Sequence, residues 1–263
     1  MKKAINISLW VVLIAYLGAI YGFVEEKNKG IICNDINVSV VNNETNKLIS
    51  NKSILATIKN SHIPIIGKQV NKINTFALEN LFKSNATIKQ VAIYTTIDGI
   101  LNVEAEQREP ILRVMNARMQ QYYIDNEAYI IPIRFEAPAY CLFANGNIKE
   151  TFNVNEAHTE KSLLMDTLNN NKNNISSIFK LSQYINSHNF WKNHISQIYV
   201  DGDNNLMVIP RVGAHVIILG DITNLDIKFK KLRSLYYAFN EIGWNDYKTI
   251  NLKYSNQIVC TKR

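Results

Sequence analysis

Residues Ile5 to Val24 form an apolar run without an acidic or basic side chain. No other stretch constrains the chain as strongly. At about 1.5 Å of rise per residue, a helix of this length covers the roughly 30 Å hydrocarbon core of a bilayer. Lys2 and Lys3 precede the run, and the first acids, Glu25 and Glu26, follow it. The positive-inside bias then keeps residues 1–4 in the cytoplasm and exports everything after about Glu25. Trp10 and Tyr21 lie near the two ends, where amphipathic rings favour the headgroup level. Gly18 and Gly22 have the small-residue spacing that lets helices approach closely. A cleaved secretory signal is the rival reading, with Leu17-Gly18-Ala19 as its cleavage site. The run is longer than an ordinary signal core and Leu17 is not small, so residues 5–24 are read as a transmembrane helix.

The chain has 263 residues, so about 230 lie outside the anchor, enough for two domains of ordinary size. The formal charge of +7 comes from 29 basic and 22 acidic residues. Setting Lys2 and Lys3 aside leaves 27 basic against 22 acidic, a net +5 of scattered groups. Without a one-faced basic stripe or a recognisable module, the sequence does not support nucleic-acid binding. Cys33, Cys141 and Cys260 are too few and too far apart for a disulfide framework, and no metal-type cysteine spacing occurs. They are read as packing residues.

Beyond the anchor, Ile36, Val38 and Val40 alternate with polar neighbours and predict a strand. Ser50 caps a helix carrying Ile54, Leu55 and Ile58. Asn74 or Thr75 caps a second helix with Phe76, Leu78, Leu81 and Phe82 on its apolar side. Strand character returns from Ile88 to Ile97, Asp98-Gly99 reads as a two-residue hairpin turn, and Ile100 to Glu106 runs back. The order is strand, helix, helix, strand, strand. Three strands covered by two helices bury enough apolar surface to fold. Pro110 stops sheet pairing on its donor side and suggests a domain boundary, while Arg108 and Glu109 read as a solvated strand end.

Gln121 to Asp125 and Tyr129 to Ile133 predict a second hairpin, with Asn126 as the residue able to take a positive φ. Asn145-Gly146 reads as a turn after Cys141 to Ala144. An Asn-rich insertion occupies about residues 149–173, with a short helix around Lys161 to Leu168. Asn174 is placed as the cap of an amphipathic helix through Ile185, followed by Phe190-Trp191 and a strand from Ile195 to Val200. After the Asp201-Gly202 turn come strands at Leu206–Pro210 and His215–Leu219. Leu225, Phe229, Leu232, Tyr236 and Phe239 then define one helical stripe. Lys228, Lys230, Lys231 and Arg233 read as a solvated face. Thr249–Tyr254 and Gln257–Thr261, joined at Ser255-Asn256, form a terminal strand pair.

No catalytic constellation emerges. His188 and His194 flank Trp191, and His158 lies in the insertion, without the spacing or third ligand of a metal site. There is no Gly-rich phosphate loop and no Gly-x-Ser-x-Gly elbow. His215 reads as a structural histidine, and Glu104 and Glu106 as the polar side of a strand. No enzyme activity, metal or cofactor is expected.

The strand-helix-helix-strand-strand order directly after one anchor is what a POTRA domain looks like. Glu106-Gln107-Arg108-Glu109-Pro110 resembles the "E-R-x-P" junction of the cell-division protein family FtsQ/DivIB. Tyr122-Tyr123-Ile124-Asp125 is similar to that family's "Y-Y-I-D-x-x-G" element, although the glycine is missing. The resemblance extends to "W-x-x-x-I-x-x-I" at Trp191, Ile195 and Ile198, and to "V-G-x-x-V-x-x-L-G" from Val212 to Gly220. It closes with Ile250-Asn251-Leu252-Lys253-Tyr254 in place of "V-D-L-R-Y".

The fold class expected is therefore α+β: an anchor, a POTRA domain over residues 34–108, and a mixed β domain over residues 109–263. That second domain carries a packed helix and carboxy-terminal edge strands. The resemblance implies a non-enzymatic inner-membrane scaffold of the septum, with its bulk in the periplasm. A sheet edge offers unpaired backbone groups to which a partner adds a strand. The resemblance makes that partner FtsB, paired with FtsL, and the contact is placed at Tyr254, Ile258, Val259 and Cys260. By alternation about half of these must face inward. The POTRA domain would engage other divisome proteins. A POTRA-bearing envelope protein of outer-membrane assembly is the alternative.

Overall fold

The computed structural model describes residues 10–22, 30–42, 46–133, 138–152 and 173–263, with backbone only at 240–242. Residues 10–22 form a helix, α1, whose side chains are all exposed. Among the described residues no helix is long and apolar enough to cross a membrane. Residues 5–9 and 23–24 of the expected span lie outside those described, as do Lys2, Lys3, Glu25, Glu26, His158 and the expected helix around Lys161 to Leu168. The chain beyond α1 divides into two compact units, with Gln107 the last residue of the first and Arg108 continuing the second.

In the first unit β1 (Asp35–Val41), α2 (Asn51–Asn60), α3 (Thr75–Lys83), β2 (Ile88–Thr95) and β3 (Ile100–Gln107) follow in that order. β3 is central, parallel to β1 and antiparallel to β2. The caps form as expected. Ser50 Oγ accepts from Ser53 N, and Ser53 Oγ accepts from Ser50 N, a reciprocal box that satisfies two end groups of α2. Asn74 Oδ1 accepts from Ala77 N at the start of α3. Ile54, Ile58, Leu78 and Phe82 pack on the alternate residues Leu101, Val103 and Ala105 of β3.

Phe76 departs from expectation: it is 66% exposed, with Lys83 over its ring. At 100° per residue it stands about 200° from Leu78, on the opposite side of α3. The Asp98-Gly99 turn also differs. Thr96 N donates to Ile100 O and Gly99 N to Thr96 O, so the loop is 97–99 and only Gly99 has a positive φ, +78°. A two-residue type I′ turn needs positive φ at both central residues, whereas a type I turn followed by one left-handed residue needs one.

The second unit is built on a nine-stranded sheet. Its strands in chain order are β4 (Pro110–Met115), β5 (Gln121–Asp125), β6 (Ile130–Pro132), β7 (Leu142–Gly146), β8 (Ile195–Val200), β9 (Leu206–Pro210), β10 (Val216–Gly220), β11 (Tyr247–Asn251) and β12 (Val259–Lys262). Their spatial order is β12-β11-β10-β9-β8-β7-β4-β5-β6. Helices α4 (Asn174–Ser187), α5 (Asn189–His194) and α6 (Leu225–Ile242) contribute Ile178, Leu181, Trp191, Phe229, Leu232 and Phe239 to one core with the inward strand residues. The stripe read on α6 is the face that packs. Asn173, not Asn174, holds the cap position of α4. Asn174 instead donates from Nδ2 to Asn147 O.

β4 was not expected, because Pro110 reads as a stop. It stands at the first residue of the strand, where a missing donor is tolerated. Asn145-Gly146 is not a turn either: both residues belong to β7, opposite Tyr199 and Val200 of β8. A Cβ on Gly146 would collide with the backbone of Val200. The glycine admits a neighbouring strand rather than reversing the chain.

Three hairpins of this sheet repeat the loop seen at Gly99. In loops 117–119, 126–128 and 202–204 the third residue is left-handed: Met119 (φ 62°), Ala128 (φ 64°) and Asn204 (φ 64°). The residue before each loop steadies it. Asn116, Asp125 and Asp201 each accept through Oδ1 from two backbone amides of the turn. The strained position in the second hairpin is thus Ala128, not Asn126. The chain's register, rather than Asn preference, sets which residue takes it.

Candidate functional site

β12 is the last strand of its sheet and pairs with β11 alone, from Asn251 opposite Val259 to Tyr247 opposite Lys262. The opposite side of β12 carries no strand among the described residues. A row of backbone donors and acceptors there is open to a further strand.

The four residues expected at the contact divide by orientation and by element. Val259 and Cys260 are on β12, whereas Tyr254 and Ile258 belong to the loop 252–258 that leads into it. β11 ends at Asn251, earlier than the expected Tyr254. Leu252 N still donates to Ile218 O of β10, which closes the parallel β10–β11 ladder, and the loop 252–258 follows. Tyr254 is 51% and Val259 39% exposed, while Ile258 and Cys260 pack against the core. Burial raises the Cys260 thiol above its ordinary pKa.

Both ends of the edge are tied down by side chains. Lys231 Nζ donates to the carbonyls of Tyr254 and Ser255. Lys253 Nζ donates to Asn205 Oδ1 at 3.1 Å. At the far end Arg263 N donates to Asp246 O, and its guanidinium donates to Ala214 O at 2.5 Å.

The basic residues of α6 are therefore not a uniformly solvated face. Lys228 is buried, its Nζ donating to Leu219 O (2.9 Å), Asp221 O (2.8 Å) and Asp221 Oδ1 (2.7 Å). The Lys228 and Thr223 hydrogen bonds hold the Asp221 carboxyl down to about 2. A long aliphatic stem lets an off-stripe lysine cross the core edge and end on polar atoms. Sequence periodicity reads the Cα direction and misses that reach. Asp221, seven residues before Lys228 and just ahead of the helix, was the available signal.

Arg108 is likewise buried rather than solvated. Its Nη1 donates to Asp125 Oδ2 at 2.7 Å, and its guanidinium lies 3.5 Å from the Tyr129 ring. Other candidates stay apart. His188 Nδ1 meets Tyr184 O and His194 Nδ1 meets Phe190 O, each within its own helical turn. His215 precedes β10 and shares a hydrogen bond through Nε2 with Tyr236 Oη at 3.0 Å. Glu104 accepts from Tyr94 Oη, and Glu106 pairs with Lys89 on the polar face of β3. Among the described residues no group of three or more His, Cys, Asp or Glu could hold a metal ion.

Residues 31–106 match the POTRA-like domain family, and residues 109–261 match the family described as FtsQ/DivIB, C-terminal related. No curated protein matches the chain. Both families are generally non-enzymatic. With the second match spanning more than half of its length, the chain belongs to the FtsQ/DivIB family, and its domains suggest a scaffold role in cell division at the septum.

Proposed function

We propose that the chain is a single-pass scaffold of the divisome that binds an FtsB-type protein, paired with FtsL, by strand addition along β12. The observation that carries this reading is the position of β12, a terminal strand with one neighbour and clamped ends. Strand addition there gains main-chain hydrogen bonds, while Tyr254 and Val259 offer exposed side chains for specificity. Ile258 and Cys260 support the strand from within. The exposed apolar α1 supports an inner-membrane anchor over residues 5–24, with the amino terminus in the cytoplasm and the bulk in the periplasm. The POTRA-like unit is the part assigned to other divisome proteins. On its β2 edge, Ile93 N already donates to Glu79 Oε1, so that amide is not free for an incoming strand.

Neighbouring residues of a strand point their N–H groups to opposite sides. Proline at Val259 and proline at Cys260 thus remove one outward and one inward donor of β12. The outward substitution is expected to abolish capture of the FtsB/FtsL-type complex by the full chain while leaving its melting temperature unchanged. Undiminished capture by both variants overturns the proposal. Mass measurement of the mature amino terminus separates an anchor from a cleaved signal.

A further inference from the structure

We infer that the end of the first unit at which the chain enters β1 rests on the periplasmic surface of the bilayer, with Ile32, Ile66 and Ile97 seated among the lipid headgroups. The inference rests on the reading of residues 5–24 as a membrane anchor.

Three backbone segments meet at this end. Cys33 N donates to Lys68 O and Gly67 N to Cys33 O, both at 2.8 Å, and Ile32 bridges Gln69. On the other side Asn34 N donates to Gly99 O at 2.8 Å, and a Cβ on Gly99 would collide with Ile32 O. Residues 31–34, 65–69 and 97–99 therefore form one cluster. Ile31, Cys33 and Ile65 turn toward the core of the unit, which leaves their neighbours Ile32 and Ile66 facing outward. Ile32 and Ile66 are more than half exposed, and Ile97, in the hairpin loop 97–99, is 78% exposed. Single exposed aliphatic side chains are ordinary on a soluble surface, whereas several gathered at one end mark a contact.

The path of the chain names the partner. The anchor is read to end at Val24, and Gly30 is six residues further on. Even fully extended, six residues span only about 20 Å, so Ile32 is held close to the headgroup layer. A tether this short makes membrane contact an intramolecular step, for which a modest apolar patch suffices. Insertion of this kind scales with the apolar area buried at the interface. Lys68 set against Asp35 and Asp98 is one cation against two carboxylates, which gives anionic headgroups no electrostatic hold. The first unit is then held at two points, its anchor and this end, and does not swing freely about the tether.

The test uses the full chain in nanodiscs whose lipid acyl chains carry bromine, which quenches nearby indole rings. Ile97→Trp places a reporter at the contact, and Val41→Trp places one at the other end of β1, where the side chain is also exposed. After subtraction of the parent's Trp10, Trp191 and Trp244, quenching is expected to be about fivefold stronger at position 97 than at position 41, and the same at about 50 mM and about 500 mM salt. Adding Ile32→Ser and Ile66→Ser to Ile97→Trp is expected to lower it to the level at position 41, with an unchanged melting temperature showing that the unit stays folded. Equally weak quenching at both positions, with Trp10 of the parent still quenched, overturns the inference and leaves the anchor standing. An unquenched Trp10 overturns the anchor reading and the inference together. Quenching that survives Ile32→Ser and Ile66→Ser also overturns the inference, because the introduced indole alone then makes the contact. Quenching lost at the higher salt overturns it in favour of headgroup charge. An indole at position 97 shielded from water only when the FtsB/FtsL-type complex is added overturns it in favour of a protein partner.

Discussion

Arg108 Nη1 donates to Asp125 Oδ2 at 2.7 Å across 17 residues of sequence, and the two side chains are 9% and 6% exposed. Asp125 uses its other oxygen, Oδ1, to accept from Glu127 N and Tyr129 N in the β5–β6 loop. One carboxylate thus fixes both the entry to the second unit and the shape of its hairpin. Arg108→Ala leaves that carboxylate buried without its cation. The expected loss is about 3–5 kcal/mol, read as a lower urea midpoint for the second unit. Glu127, 3.7 Å from the guanidinium but 46% exposed, matters less: Glu127→Gln should change stability by under about 0.5 kcal/mol.

The left-handed residues of the hairpin loops permit a paired test. A non-glycine residue in this conformation costs roughly 1–2 kcal/mol. Met119 is 69% exposed, so Met119→Gly relieves the conformation without losing packing and should stabilise by about 1 kcal/mol. Ala128 is buried, and deleting its methyl costs about 0.8 kcal/mol, so Ala128→Gly should be nearly neutral. Chemical denaturation of the two variants side by side checks the difference.

Gly146 has φ +102° and faces the backbone of Val200. Gly146→Ala must push β7 and β8 apart at the middle of the sheet. An expected loss of about 3 kcal/mol or more follows from combined strain and lost pairing. Faster amide exchange at Tyr199 and Val200 would report it.

His215 is buried against Tyr236 and Phe239. Burial pushes its pKa below 6.5, and the nearby Trp244 backbone offsets only part of this, since Nδ1 lacks a well-aligned partner. Above pH 6.5 both folded and unfolded histidine are neutral, and the contribution is complete. As pH falls below 6.5 the unfolded chain takes up the proton first, so stability drops until the folded pKa is passed. The unfolding free energy should decline as pH falls below about 6.5 in the parent. His215→Gln should show a shallower slope over the same window.

Much of the fold was written in local periodicity. The 3.6-residue stripe of α6, the alternation in β1, and the caps at Ser50 and Asn74 each depend on neighbours within one turn or two. The order of elements along the first unit followed from them, as did the existence of a terminal strand pair. Asn74 and Ser50 succeed as signals because a cap bonds an amide three residues away.

What the periodicity could not carry were contacts set by distant chain. Alternation looks the same in a central strand and at an edge, so only the assembled sheet decides that β12 is terminal and that Gly146 must admit Val200. Arg108 and Lys228 reach buried oxygens through long stems that no spacing rule tracks. The apolar run, the element types and the family pattern thus belong to the sequence. Which backbone edge stays open, and which charges are neutralised beside it, belongs to tertiary structure, because both depend on groups brought together from far along the chain.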